Sequence, residues 1–152
     1  MKLQISSQLA IFAILELYSR PDHQLSVAEI GSKYGVSSHH LAKVMNVLGR
    51  AGLVRSVRGA GGGYQFCGNA RRTTLLDLIE LFEKPGLAGG EDEELAERTG
   101  EGRALLQVLR EIDDIARSTL GSITIQTMHK LVEQHQDHVP RARAAGGGQR
   151  RR

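Results

Sequence analysis

The sequence predicts a mostly α-helical chain with one small β-hairpin. Three observations carry that prediction. Apolar residues recur at helical spacing through most of the chain, a single glycine-dense turn separates two short alternating runs, and 40% hydrophobic residues without any Trp leave a core of Leu, Ile, Val and Met. The 152 residues allow one ordinary domain, or a small domain with an oligomerisation element.

Residues 7–19 include Leu9, Ile11, Phe12, Ala13, Ile14, Leu15, Leu17 and Tyr18, apolar around most of a helix circumference, which predicts a central helix. Arg20-Pro21-Asp22-His23 breaks it. Ser26 and Glu29 read as a capping box opening a short helix through Val27, Ile30 and Tyr34, with Gly35 as its stop. After the turn Gly35-Val36-Ser37, Ser37 is a natural N-cap for a third helix whose apolar positions Leu41, Val44, Met45 and Leu48 define a buried stripe. The opposite face then carries Ser38, His39, Ala42, Lys43 and Asn46, with no carboxylate. Gly49 and Gly52 are expected to end this helix, and residues 53–57 and 64–67 flank Arg58-Gly59-Ala60-Gly61-Gly62-Gly63 as a hairpin.

Thr74 and Asp77 form a second capping pattern, starting a helix with Leu75, Leu78, Ile79 and Phe82 on one face that Pro85-Gly86 stops. Residues 85–102, rich in Gly and Glu, are expected to be a mobile acidic loop with room for one helical turn. Beyond them Leu105, Leu109, Ile112, Ala116 and Ile123, with Leu106, Val108 and Ile115 beside them, form a stripe wide enough to meet the domain and a second chain. Thr124 caps a last helix through Ile125, Met128, Leu131 and Val132, and residues 139–152 have nothing to bury and are expected to be disordered.

The formal charge of +3 is unevenly placed. Arg141, Arg143, Arg150, Arg151 and Arg152 lie at the end, so residues 1–138 hold 15 basic against 17 acidic side chains. Between Glu29 and Asp77 there is no acid, while Lys33, Lys43, Arg50, Arg55, Arg58, Arg71 and Arg72 fall in that window. Twelve carboxylates follow from Asp77 to Asp114. An acid-free stretch holding a helix and a hairpin is the footprint of a phosphate-facing surface.

A short helix, a tight turn, an amphipathic helix and a hairpin together read as a winged helix-turn-helix. Its second helix enters the major groove, and the glycine-tipped hairpin lies alongside with Arg58 placed to reach the minor groove. Domain organisation follows: 1–83 a winged helix-turn-helix DNA-binding domain, 84–103 an acidic Gly-rich loop, 104–138 a dimerisation helix and C-terminal helix, 139–152 a basic tail. The strings Ser37-Ser38-His39-His40-Leu41-Ala42-Lys43-Val44 and Leu53-Val54-Arg55-Ser56-Val57-Arg58-Gly59-Ala60-Gly61-Gly62-Gly63-Tyr64 resemble the family of bacterial transcription regulators that contains IscR, NsrR and CymR, over about residues 1–132. The resemblance implies a homodimer that binds a double-stranded, palindromic operator. It assigns DNA contact to Ser37, Ser38, His39, His40, Lys43, Arg58 and Gly59 and the dimer helix to residues 104–120; the exposed face adds Asn46 to the DNA contacts, and the apolar stripe puts Leu105, Leu109, Ile112 and Ala116 at the dimer interface. A repressor is the expected role. Cluster-binding members of that family carry three cysteines before the dimer helix; residues 85–102 have none, so no iron–sulfur cluster and no other cofactor is expected.

Other readings are weaker. Cys67, the single cysteine, reads as a small packing residue before a redox sensor, since no His or second Cys adjoins it. His39 and His40 point about 100° apart on a helix and cannot easily chelate one ion; His135 and His138 have workable spacing, but a solvated face is the simpler reading, and no metal site is expected. The wing glycines lack the Gly-Lys-Ser/Thr ending of a nucleotide loop, and no catalytic constellation occurs, so an enzyme is not expected. The acidic run at 91–97 reads as a solvated loop before a ligand-responsive element, and the arginine tail as either added DNA affinity or a passive end. The rival of another class is an adaptor whose winged helix docks a partner protein. No apolar run approaches the roughly 20 residues of a membrane span and the amino terminus lacks a signal-peptide pattern, which predicts a cytoplasmic protein.

Overall fold

The computed structural model describes residues 2–88 and 93–137. In chain order these form α1 (Ile5–Ser19), α2 (Val27–Tyr34), α3 (Ser38–Arg50), β1 (Val54–Val57), β2 (Gly63–Phe66), α4 (Leu75–Glu80), α5 (Glu93–Ala96), α6 (Gly100–Ser122) and α7 (Ile125–Asp137). Helix α1 is the centre, as its all-round apolar pattern requires: Leu9, Ala10, Ile11, Ala13, Ile14, Leu15 and Leu17 are buried, against α3, α4, β2 and α7. Its N-terminus lacks a side-chain cap of its own. Glu83 supplies one from beyond α4, accepting from the Gln4 amide at 2.9 Å and from the hydroxyl of buried Ser7.

Helices α2, α3, α4 and α7 start where their caps predict. Ser26–Glu29 and Thr74–Asp77 both form reciprocal capping boxes, Ser37 Oγ accepts from the His40 amide at 3.2 Å, and Thr124 Oγ1 accepts from the Thr127 amide at 3.2 Å. The hairpin is antiparallel, with Val54 opposite Phe66 and Val57 opposite Gly63. Leu25 adds a third extended segment by exchanging backbone hydrogen bonds with Tyr64 at 3.1 and 2.8 Å.

Three boundaries differ from the sequence expectation. Gly49 lies inside α3, which runs on to Arg50 before Gly52 turns the chain in a left-handed conformation. α4 ends at Glu80, so Phe82 packs from the turn after it, half-buried. α6 begins at Gly100, where Thr99 Oγ1 caps the Gly102 amide at 3.0 Å, instead of at residue 104. Between α6 and α7 the chain pauses in an extended bridge, Leu75 N donating to Ile123 O and Ile125 N to Thr73 O, both at 2.9 Å. That bridge sets α7 back onto α1.

Candidate nucleic-acid interface

The helix-turn-helix is held to the core from below. Glu16 on α1 receives Lys33, and Tyr34 donates to the same oxygen at 3.0 Å, while the rings of Phe12 and Tyr34 stack at 5.0 Å. Burial pushes the Glu16 carboxyl up, but Lys33 and Tyr34 outweigh it and hold the group below the usual carboxylate range. Tyr34 is raised in turn, by burial first and then by the carboxylate it serves. α2 is thereby fixed, and the turn 35–37 delivers α3 with Leu41, Val44, Met45 and Leu48 buried.

Fixing that stripe turns Ser38, His39, Ala42, Lys43 and Asn46 outward, all exposed. Ser37 is exposed as well, with its hydroxyl engaged as the cap. His40 stands apart from the row: it is half-buried, its Nε2 lying 3.2 Å from Ser6 Oγ on α1. α3 packs on β1, so the wing is rooted at the recognition helix. At its tip Arg58 and Gly59 are exposed, Gly59 with φ of 113°, a conformation side chains rarely adopt. Below the tip Arg55 donates to Gln65 Oε1 at 3.0 Å, and Gln65 reaches Gln24 at 3.4 Å. Neither glutamine was singled out from the sequence, although the Arg55–Gln65 pair follows from the hairpin register.

The other expected site residues fall as follows. On α6, Leu105 and Ile112 are 57% and 44% exposed, together with Val108 and Ile115, whereas Leu109 and Ala116 are half-buried. Cys67 is exposed after β2, its Sγ 3.4 Å from Gly52 O, which corrects its reading as a packing residue: β2 ends at Phe66, and the ring of that residue takes the place against the core. His135 is exposed at the end of α7; His138, the arginine tail and residues 91 and 92 of the acidic run lie outside the described residues. Among the described residues no three His, Cys, Asp or Glu side chains gather as a metal site, and no helix is long and apolar enough to cross a membrane.

The sequence profile of the Rrf2 family, described as iron-dependent transcriptional regulators, matches residues 3–131. The chain belongs to the Rrf2 family. It is similar to a Rhodopseudomonas palustris protein assigned as the HTH-type transcriptional regulator BadM, with 48% identity over 137 residues, 88% of this chain and 84% of that one. Its fold is similar to that of CymR, the global cysteine regulator of B. subtilis (TM-score 0.67, 27% identity, 86% of this chain and 98% of that chain). It is also similar to T. potens IscR (TM-score 0.63, 27% identity, 90% and 91%). This Rrf2-family chain is a DNA-binding transcriptional regulator with a winged-helix fold.

The iron in the family's description has no fitting donor set here. A cluster is held by thiolates, usually four, and the sequence has one cysteine. Cys67 sits beside Gly52 at the base of the wing, while the segment before α6 offers carboxylates and no thiol.

Proposed function

We propose that this Rrf2-family regulator is a cytoplasmic homodimeric repressor that reads a palindromic operator without an iron–sulfur cluster. The observation that carries the reading is the acid-free row Ser38, His39, Lys43 and Asn46, exposed along α3 above a wing whose tip presents Arg58. A groove about 12 Å wide admits one such helix, and short polar side chains without carboxylates meet base edges and phosphates without repulsion. Ser37 and His40 flank the row and hold the helix start, Ser37 as its cap and His40 through Ser6. Arg58 and Gly59 carry the wing to the backbone and minor groove. Two copies joined along α6 through Leu105 and Ile112, with Leu109 and Ala116 at the border, present two recognition helices to half-sites about 10 bp apart.

The test is fluorescence anisotropy on an operator selected by the full chain from random duplexes, repeated across salt concentrations. Lys43→Ala and Arg58→Ala should each weaken binding about tenfold, a loss of roughly 1–3 kcal/mol per contact. Lys43→Ala should also flatten the dependence of log affinity on log salt by about one unit, as one phosphate contact is lost. Unchanged affinity in both variants would remove the interface.

A further inference from the structure

A cleft of about 670 Å³ opens between the C-terminal end of α1, the segment after β2, and α7. One wall is a row of three rings: Tyr18 meets Phe66 edge-on at 5.6 Å and His129 edge-on at 5.2 Å. Leu17, almost completely buried, lies beneath, and Asn69 and Arg71 close the other side. Every polar side chain around this space can donate, and the carboxylate paired with His129, that of Glu133 at 3.5 Å from its Nε2, lies outside the lining. Arg71 has no carboxylate partner among the described residues, and the Tyr18 hydroxyl makes no hydrogen bond there. Asn69 uses its carbonyl on the Arg71 amide at 3.1 Å, which leaves its NH₂ to give.

Charge separates this cleft from its neighbours. Four others, of about 400–540 Å³, each include at least one carboxylate: Glu97, Glu111 and Asp114; Asp77 and Glu80; Glu16; or Glu16 and Glu29. The cleft beside Tyr18 includes none. A space lined by rings and aliphatic carbon, with a cation and neutral donors and no acid, is complementary to an anion that carries an apolar body. A bare phosphate, including that of a DNA backbone, would leave the ring wall unused.

We propose that this cleft binds a small organic carboxylate with an apolar, ring-sized body, its acid group on Arg71 and its body against Tyr18 and Phe66. Phe66 is the last residue of the wing strand and pairs with Val54 at the root of the hairpin, so occupancy bears directly on the element that follows α3. The site is therefore an effector site, and that consequence rests on the DNA-binding reading above.

The probe is 3-phenylpropanoate, with its neutral amide as control, titrated into the full chain by NMR. Saturable binding of one molecule per chain is expected, with Kd of about 1 mM or below. The amide should bind more weakly, and Arg71→Ala should weaken the acid roughly tenfold while the exposed neighbour variant Arg72→Ala leaves it unchanged. In parallel, 3-phenylpropanoate should change the affinity of the wild-type chain for its selected operator by about fivefold or more. Absence of saturable binding, equal binding of acid and amide, or equal loss in Arg71→Ala and Arg72→Ala overturns the site. Binding with operator affinity unmoved overturns its effector role. Loss of operator binding by the chain on its own, with the acid still bound, would fault the DNA reading and spare the cleft.

Discussion

Single residues decide how the recognition helix is held. Gly31, inside α2, faces the turn so closely that a Cβ there would lie 2.9 Å from the Val36 carbonyl oxygen. The sequence marked Gly35 as a stop and passed over Gly31, because a glycine within a helix gives no sign of which neighbour approaches it. Glu16 is a comparable case: the apolar pattern of its helix gives no sign of its role, because its partners Lys33 and Tyr34 sit 17 and 18 residues away. Its carboxyl is held below the usual carboxylate range, so the ionised form is favoured in the folded chain. The contribution is complete above the ordinary carboxylate pKa near 4.5 and is lost as pH falls through the lower folded value. Glu16→Gln should therefore cost about 1–3 kcal/mol at pH 7 and much less at strongly acid pH, where the wild-type carboxyl is also protonated. Urea titrations of both proteins from pH 7 to 3 measure this; parallel stability curves would show that Glu16 stabilises only by packing.

At the scale of elements, the sequence was legible wherever local chemistry sets the structure. The capping residues Ser26, Ser37, Thr74 and Thr124 opened the helices they predicted, and the glycine turn placed the hairpin. What stayed hidden needs partners distant in sequence: Leu25 joins the wing only because Tyr64 reaches it, and Glu83 caps α1 from 79 residues away. The candidate site follows the same division. The exposed row of α3 was readable from its apolar stripe, but the diversion of His40 to Ser6 was not, since it depends on where α1 passes. The segment leading to α5 is another hidden tie. Asp113 on α6 accepts from the amides of Leu87 and Ala88 at 2.6 and 2.9 Å, and Arg110 pairs with Glu93 at 2.6 Å and Glu97 at 3.4 Å. The stretch expected to be a mobile loop is thus fastened to the long helix at both of its described ends. Asp113→Ala should speed hydrogen exchange at the Leu87 and Ala88 amides by about tenfold or more, because each loses a charged acceptor, while amides in α1 stay protected. Unchanged exchange at those two amides would mean that other contacts hold the segment.

Over the whole molecule, hydrophobic residues are divided between a finished core and an unfinished face. α6 is 23 residues long, yet Leu106 is its one buried residue among those described, while Leu105, Val108, Ile112 and Ile115 stand 57%, 52%, 44% and 68% exposed. Their steps of three, four and three residues follow the a and d positions of a heptad, the pattern that seats one helix against another. Stripping roughly four such side chains from water is worth about 1.5–3 kcal/mol each, and an aliphatic row of that length is rare on a monomer. The same helix carries its polar ties, Arg110 and Arg117, to other parts of its own chain, and the apolar row is where the proposed dimer would seat its second copy. Ile112→Glu should then put two like charges at the centre of the paired helices and shift the chain from dimer to monomer in sedimentation at micromolar concentration. The core lies elsewhere, so far-UV circular dichroism should be preserved. Operator affinity should fall with the dimer, because a single recognition helix reads one half-site. A variant that still sediments as a dimer would move the interface off this row, and a monomer that kept full operator affinity would separate recognition from two-fold symmetry.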